Sequence, residues 1–154
     1  MGLDMMLNAR RYVSEYSDEE LFAKLNAAAE GVRKGFGIQY ITVEVMYWRK
    51  CNSVHNWMVK NVQNGVDDCG YYYVSQEKLR ELLADISQVL LDHSKAEELL
   101  PTQSGFFFGD TRYGACYFGE LKMTQKALID LFDKFDDGEG NLDYNWSFEY
   151  HSSW

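Results

Sequence analysis

Proline is almost missing from this 154-residue chain: Pro101 is the single one. No proline-, glycine- or serine-rich tract, internal repeat or low-complexity stretch interrupts the sequence, which excludes a linker and predicts one globular domain over residues 1–154. Positive charge is also short. Against 24 acidic residues stand 15 basic ones, a formal charge of -9, which repels a phosphate backbone and works against a general duplex-binding surface, leaving DNA or RNA as the main partner a minority reading. No apolar run approaches the ~18 residues a membrane span needs, and Met1-Gly2-Leu3-Asp4 lacks the basic and apolar regions of a signal peptide, so the expected location is cytoplasmic, with no membrane partner. Three cysteines, Cys51, Cys69 and Cys116, form an odd set at unpatterned spacing, which fits reduced thiols rather than a disulfide framework. Phosphate-binding loops, dinucleotide fingerprints and the nucleophile elbow are lacking, and histidine occurs only at positions 55, 93 and 151. No resident cofactor is called for.

What is abundant is apolar and aromatic: 46% and 16% of the residues, enough for a sizeable core. Alternation and β-branched content predict strands over 6–13, 38–45, 70–74 and 142–150, the C-terminal half of the second being equally able to open the next helix. In the last strand Tyr144, Trp146 and Phe148 are expected to face the core. Helical spacing predicts helices over 18–30, with a capping box from Ser17 to Glu20, over 46–63, over 76–92 behind a Ser75 cap, over 96–100 and over 120–135. Gly31, Gly35 and Gly37 are expected to break the chain between the first helix and the second strand. The resulting class is α+β, a small, mostly antiparallel sheet with about four helices packed on it.

Two segments carry the candidate site. Placed on a helix, Tyr47, Cys51, Val54, Met58 and Val62 share an apolar arc bordered by Trp48 and His55, then Asn52, Asn56 and, furthest round, Arg49. Imidazole, amide and guanidinium groups beside an apolar stripe suit a pocket wall, with arginine for a carboxylate or phosphate; equally, His55 can be a satisfied core histidine. Trp57, on the other flank, either packs under a neighbour or stands exposed. The second segment is 97–109, where Pro101 fixes a turn and Phe106, Phe107 and Phe108 lie between Gly105 and Gly109. Gln103, Ser104 and Phe106 are expected to form a second wall that meets the first, although a buried phenylalanine strand also accounts for the pattern. Arg49, Lys50, Lys60 and Arg112 are the cations available to a phosphate.

Other chemistries are weaker. Cys51 and His55 are four apart, with Asp67, Asp68, Cys69 and Cys116 as further donors, but only one pair has metal-ligand spacing, so the thiols read as small hydrophobes and no metal is expected. The acidic run 136–143 lacks the alternating ligands of a calcium loop. His55 with Asp67 or Asp68 could form an acid–base pair of a hydrolase, although no spacing brings them together.

Four stretches resemble a family of small, uncharacterised accessory proteins of tailed bacteriophages and prophages: Gly2-Leu3-Asp4-Met5, Tyr47-Trp48-Arg49-Lys50 with Asn52, His55 and Trp57, the segment 96–109, and Tyr150-His151-Ser152-Ser153-Trp154. The resemblance implies action in the cytoplasm of a bacterial host, where such proteins often serve host takeover or evasion of defence. The expectation is a non-catalytic protein, a sponge for a small nucleotide-derived ligand such as a bacterial defence signal, which it binds and sequesters through Trp48, Arg49, Asn52, His55, Asn56, Gln103, Ser104 and Phe106. The alternatives are an interaction module that inhibits a host protein through its acidic surface, and a hydrolase centred on His55. No oligomeric state follows from the sequence.

Overall fold

The computed structural model describes residues 2–30 and 37–154. Its architecture is α+β, one antiparallel sheet with helices packed against it. Strand β1 (Asp4–Tyr12) lies inside the sheet, flanked by β2 (Tyr40–Arg49) and β4 (Trp146–Ser153), and β3 (Tyr71–Tyr73) adds to the far side of β4, giving the order β2-β1-β4-β3. Among the described residues five α-helices complete the fold: α1 (Glu19–Glu30), α2 (Asn52–Asn61), α3 (Gln76–Leu91), α4 (Ala96–Leu99) and α5 (Ala115–Lys134), with one 3-10 turn at His93–Lys95.

The two-residue period of a strand sends alternate side chains to opposite faces. In β1, Met5, Leu7 and Ala9 are fully buried, whereas Asp4, Met6, Asn8 and Arg10 lie on the other face. The inner face shares one core with Trp48, Phe148 and Tyr150, with Val54 and Met58 of α2, Leu79, Leu82 and Ile86 of α3, and Leu121, Leu128 and Leu131 of α5. Helix α3 shows the expected amphipathic stripe, and Ser75 accepts a hydrogen bond from the Lys78 N–H at 3.3 Å as its N-cap.

Four expectations need correction. Residues 46–49 belong to β2, not to a helix: Trp48 pairs with Met5 in the ladder and buries its ring while its Nε1 donates to Thr124 Oγ1 at 2.7 Å. Long-range pairing overrides the local helical spacing there, and the helix opens only at Asn52. Asp18, not Ser17, caps α1, its Oδ1 accepting from the Leu21 N–H at 3.0 Å, because the Ser17 hydroxyl is turned toward Ser14. The last helix starts at Ala115, five residues before the expected 120, and the last strand starts at Trp146. Asp143 turns the chain just before that strand, its Oδ1 accepting from the Asn145 N–H at 2.9 Å, so Tyr144 is 91% exposed instead of facing the core. Of the glycine break, Gly31 and Gly35 lie outside the described residues.

Candidate functional site

Where β2 hands over to α2 the backbone makes an uncommon turn. Lys50 has φ 61°, in the left-handed region that costs a residue with a Cβ roughly 1–2 kcal/mol. The strain is held by neighbours: the Lys50 N–H donates to the Leu3 carbonyl at 2.7 Å and the Lys50 carbonyl accepts from the Asn52 N–H at 2.9 Å. Gly109 comes against this corner with φ 88°, and a Cβ there would stand 3.0 Å from the Cβ of Lys50, so both the angle and the close approach require glycine.

The 101–110 segment is stitched to the start of α2 by one amide. The Asn52 side chain, 3% exposed, donates to the carbonyls of Phe108 at 3.0 Å and Asp110 at 2.9 Å and accepts from the Gln103 N–H at 3.0 Å. Asn56, one turn on, donates to the Pro101 carbonyl at 2.9 Å. The Leu3 N–H adds a bond to the Phe107 carbonyl at 3.0 Å. These ties shape the triple phenylalanine into a turn rather than a strand: Phe108 is buried, Phe107 half-buried and Phe106 96% exposed.

Between this segment, the β2–α2 corner and the start of α5 lies a cleft of about 470 Å³, within the size range of small-molecule sites. Its cations are Arg49, Lys50 and Arg112. At one end sits the first turn of α5, whose N-cap, Gly114, has no side chain to offer, so the N–H groups of Ala115, Cys116 and Tyr117 precede the first i→i−4 bond, Phe118 to Gly114 at 3.1 Å. A 20-residue helix presents partial positive charge at such an end. Two of the cations already touch carboxylates, Arg112 with Asp110 at 2.7 Å and Arg49 with Asp4 at 3.6 Å. Hydrogen bonds from the Arg112 side chain and N–H hold the Asp110 carboxyl below its usual range. Exposed pairs of this kind are worth ~0–1 kcal/mol and exchange readily for a better anion. Lys50 makes no ion pair among the described residues.

Glu120, which also lines the cleft, has its carboxyl pushed up by burial, partly offset by a hydrogen bond with the Cys51 thiol. Burial, with Glu120 next, drives that thiol far above its ordinary value, so it stays protonated. Cys51 is buried, Cys69 half-buried and Cys116 exposed in the cleft wall. Among the described residues no three histidine, cysteine or acidic side chains converge as a metal-binding group.

The expected site residues therefore divide. Arg49 and Asn52 line the cleft; Trp48, His55, Asn56, Gln103, Ser104 and Phe106 do not. The two expected walls do not meet as drawn, because Arg49 lies on a strand rather than on the helix ridge, Thr102 and Gly109 take the place of Gln103 and Ser104, and Phe106 points to solvent. Lys60 sits at the far end of α2, away from the cleft. His55 is fully buried in another network: its Nε2 is 3.1 Å from Asp67 Oδ2 and its Nδ1 2.8 Å from the Tyr150 hydroxyl. A carboxylate accepts, so Nε2 carries the ring proton and Nδ1 takes the Tyr150 O–H. Burial above all raises the Tyr150 phenol well beyond its usual range and keeps it a donor. Trp154 Nε1 closes the chain by donating to Asp67 Oδ1 at 3.1 Å. Trp57 packs inside, its Nε1 donating to Asp85 at 2.8 Å. What sequence reasoning missed is the first turn of α5 and Glu120; the available signal was Gly114 as a helix start, masked by Gly119 five residues later.

No protein-family model, curated protein or solved structure matches this chain. The functional reading therefore rests on the chemistry of the cleft.

Proposed function

We propose that the protein binds and holds a small phosphorylated, nucleotide-derived ligand in this cleft, without transforming it. The supporting observation is that Arg49, Lys50 and Arg112 line the same cleft as the uncapped first turn of α5, three cationic side chains gathered in a chain of net charge -9. A phosphate there meets side-chain donors and backbone N–H groups together. The resemblance to phage accessory proteins supports a role in sequestering a nucleotide signal of the bacterial host. The His55–Asp67 pair lends little to the hydrolase alternative, since both ring nitrogens are taken and the ring is shut off from solvent.

Calorimetry with cyclic and ADP-ribose-type nucleotides tests the reading. Arg49→Ala and Arg112→Ala should each weaken binding about ten- to hundredfold, the loss of a charge-assisted contact of roughly 1.5–3 kcal/mol, with Lys60→Ala as an unaffected control. A panel that shows no binding, or binding that both arginine variants leave intact, sinks it.

A different observation favours the protein-interaction reading. Ladder register aligns Tyr47, Met6, His151 and Tyr71 in one row across all four strands on the sheet's outer face. Tyr71 stacks on His151 with centroids 4.1 Å apart, and Arg10 lies 4.1 Å over the Tyr40 ring. Tyrosine, methionine and arginine on an open face suit a protein partner. If a host protein co-purifies equally with wild type and with a Tyr47→Ser, Tyr71→Ser double variant, this face is not its binding site.

A further inference from the structure

The cleft has a second pole. Arg49, Lys50 and Arg112 line the cleft together with the first turn of α5, whereas Glu120 stands three to five residues further along the same helix than Ala115, Cys116 and Tyr117, about 4.5–7.5 Å at ~1.5 Å per residue. Helical side chains lean toward the N-terminus, so the carboxyl lies over the turn that leads back to the anion-binding end. Four other polar side chains of the lining are occupied in holding the fold or in an ion pair. Thr102 donates its hydroxyl to the Thr111 carbonyl at 3.0 Å, Tyr117 donates to the Leu100 carbonyl at 2.9 Å, Asp110 is engaged by Arg112, and Asn52 is spent on the 101–110 segment. Glu120 forms no ion pair among the described residues, and the neighbour that eases its ionisation is the Cys51 thiol, a weak donor. A carboxyl has two oxygens, so an acceptor remains for a ligand in either protonation state.

Resting on the cleft as an anion site, we infer that Glu120 is the specificity-determining residue that reads hydroxyl or amino donors on the ligand, so that the preferred ligand is a sugar phosphate or its nucleotide rather than a bare oxyanion. In a ribose phosphate the phosphate and the vicinal hydroxyls are held apart by the ring, and one molecule can engage both poles. Vicinal hydroxyls donating to a carboxylate make charge-assisted hydrogen bonds, which partial burial of Glu120 strengthens relative to water. Inorganic phosphate engages the cationic end only and leaves Glu120 with nothing to accept from.

The test is calorimetric titration of the full chain with ribose 5-phosphate and, separately, with inorganic phosphate. Wild type should prefer ribose 5-phosphate by about tenfold or more. Glu120→Ala should abolish the preference, the two probes then binding alike, and Glu120→Gln, which retains a carbonyl acceptor and the side-chain shape, should keep an intermediate preference. Equal wild-type affinity for the two probes, or full preference retained in the folded Ala or Gln variant, overturns the assignment of Glu120 alone. Failure of both probes to bind wild type overturns it together with the cleft reading.

Discussion

Replacing Asn52 by alanine removes three hydrogen bonds at once, those to the Phe108 and Asp110 carbonyls and from the Gln103 N–H. At roughly 0.5–1.5 kcal/mol each the sum is about 1.5–4.5 kcal/mol. The Asp110 carbonyl lies in an exposed residue and regains water, whereas the Phe108 carbonyl lies in a buried one, which places the expected cost near 3 kcal/mol. For a domain of this size that lowers the melting temperature by about 6–12 °C. The damage should be local before it is global: amide hydrogen exchange at Gln103 should accelerate and the 101–110 segment should lose protection while α3 keeps its own. Asn52→Asp sharpens the test, because it keeps the acceptor for Gln103 but aims a carboxylate at two carbonyl oxygens, and at neutral pH it should be at least as harmful as alanine. If Gln103 exchanges as in wild type in the alanine variant, or if aspartate is tolerated, the amide is not what holds this wall of the cleft.

Two further outcomes follow from burial and charge. Phe148→Ala should cost about 3–5 kcal/mol in urea unfolding, as a truncation of a fully packed ring does, whereas Tyr144→Ala, at a 91% exposed position, should lie within about 0.5 kcal/mol of wild type; comparable losses at both would contradict the observed start of β4. Glu120 titrates higher in the folded chain than its ordinary value of 4.5, burial being the main cause, so its protonated form favours the fold. Its contribution is full below the unfolded value and is lost as pH rises through the folded one. Glu120→Gln cannot ionise, so its melting temperature relative to wild type should climb from about pH 4 to pH 7; a flat difference would mean that the carboxyl is not desolvated.

The fold class and most elements were legible because they depend on local periodicity: the stripe of α3 and the alternation of β1 and β4 need no knowledge of distant residues. The errors fall where a distant partner decides. Trp48 and Arg49 have helical neighbours in sequence, but β1 claims them as a strand, and the left-handed Lys50 that separates strand from helix carries no glycine or asparagine to announce it. That single boundary rotated Arg49 off its expected ridge and took His55 into a buried network with Asp67 and Tyr150. Arg49 and Asn52 were named from residue type and do line the cleft, but through different elements. Glu120 was invisible, since nothing in a helix-compatible stretch says that one glutamate will lie beside a buried thiol.

The pairing of β1 with β4 has a consequence for synthesis on the ribosome. Arg10 meets Glu149 across 139 residues of chain, so the middle of the sheet cannot close until β4 has left the exit tunnel. Until then β1 has only β2 beside it, and its apolar Met5, Leu7 and Ala9 face no finished core. Loop closure over such a span is slow compared with forming α3 or α5. Until β4 emerges, the nascent chain carries an open strand edge that a chaperone or a faulty strand partner meets first.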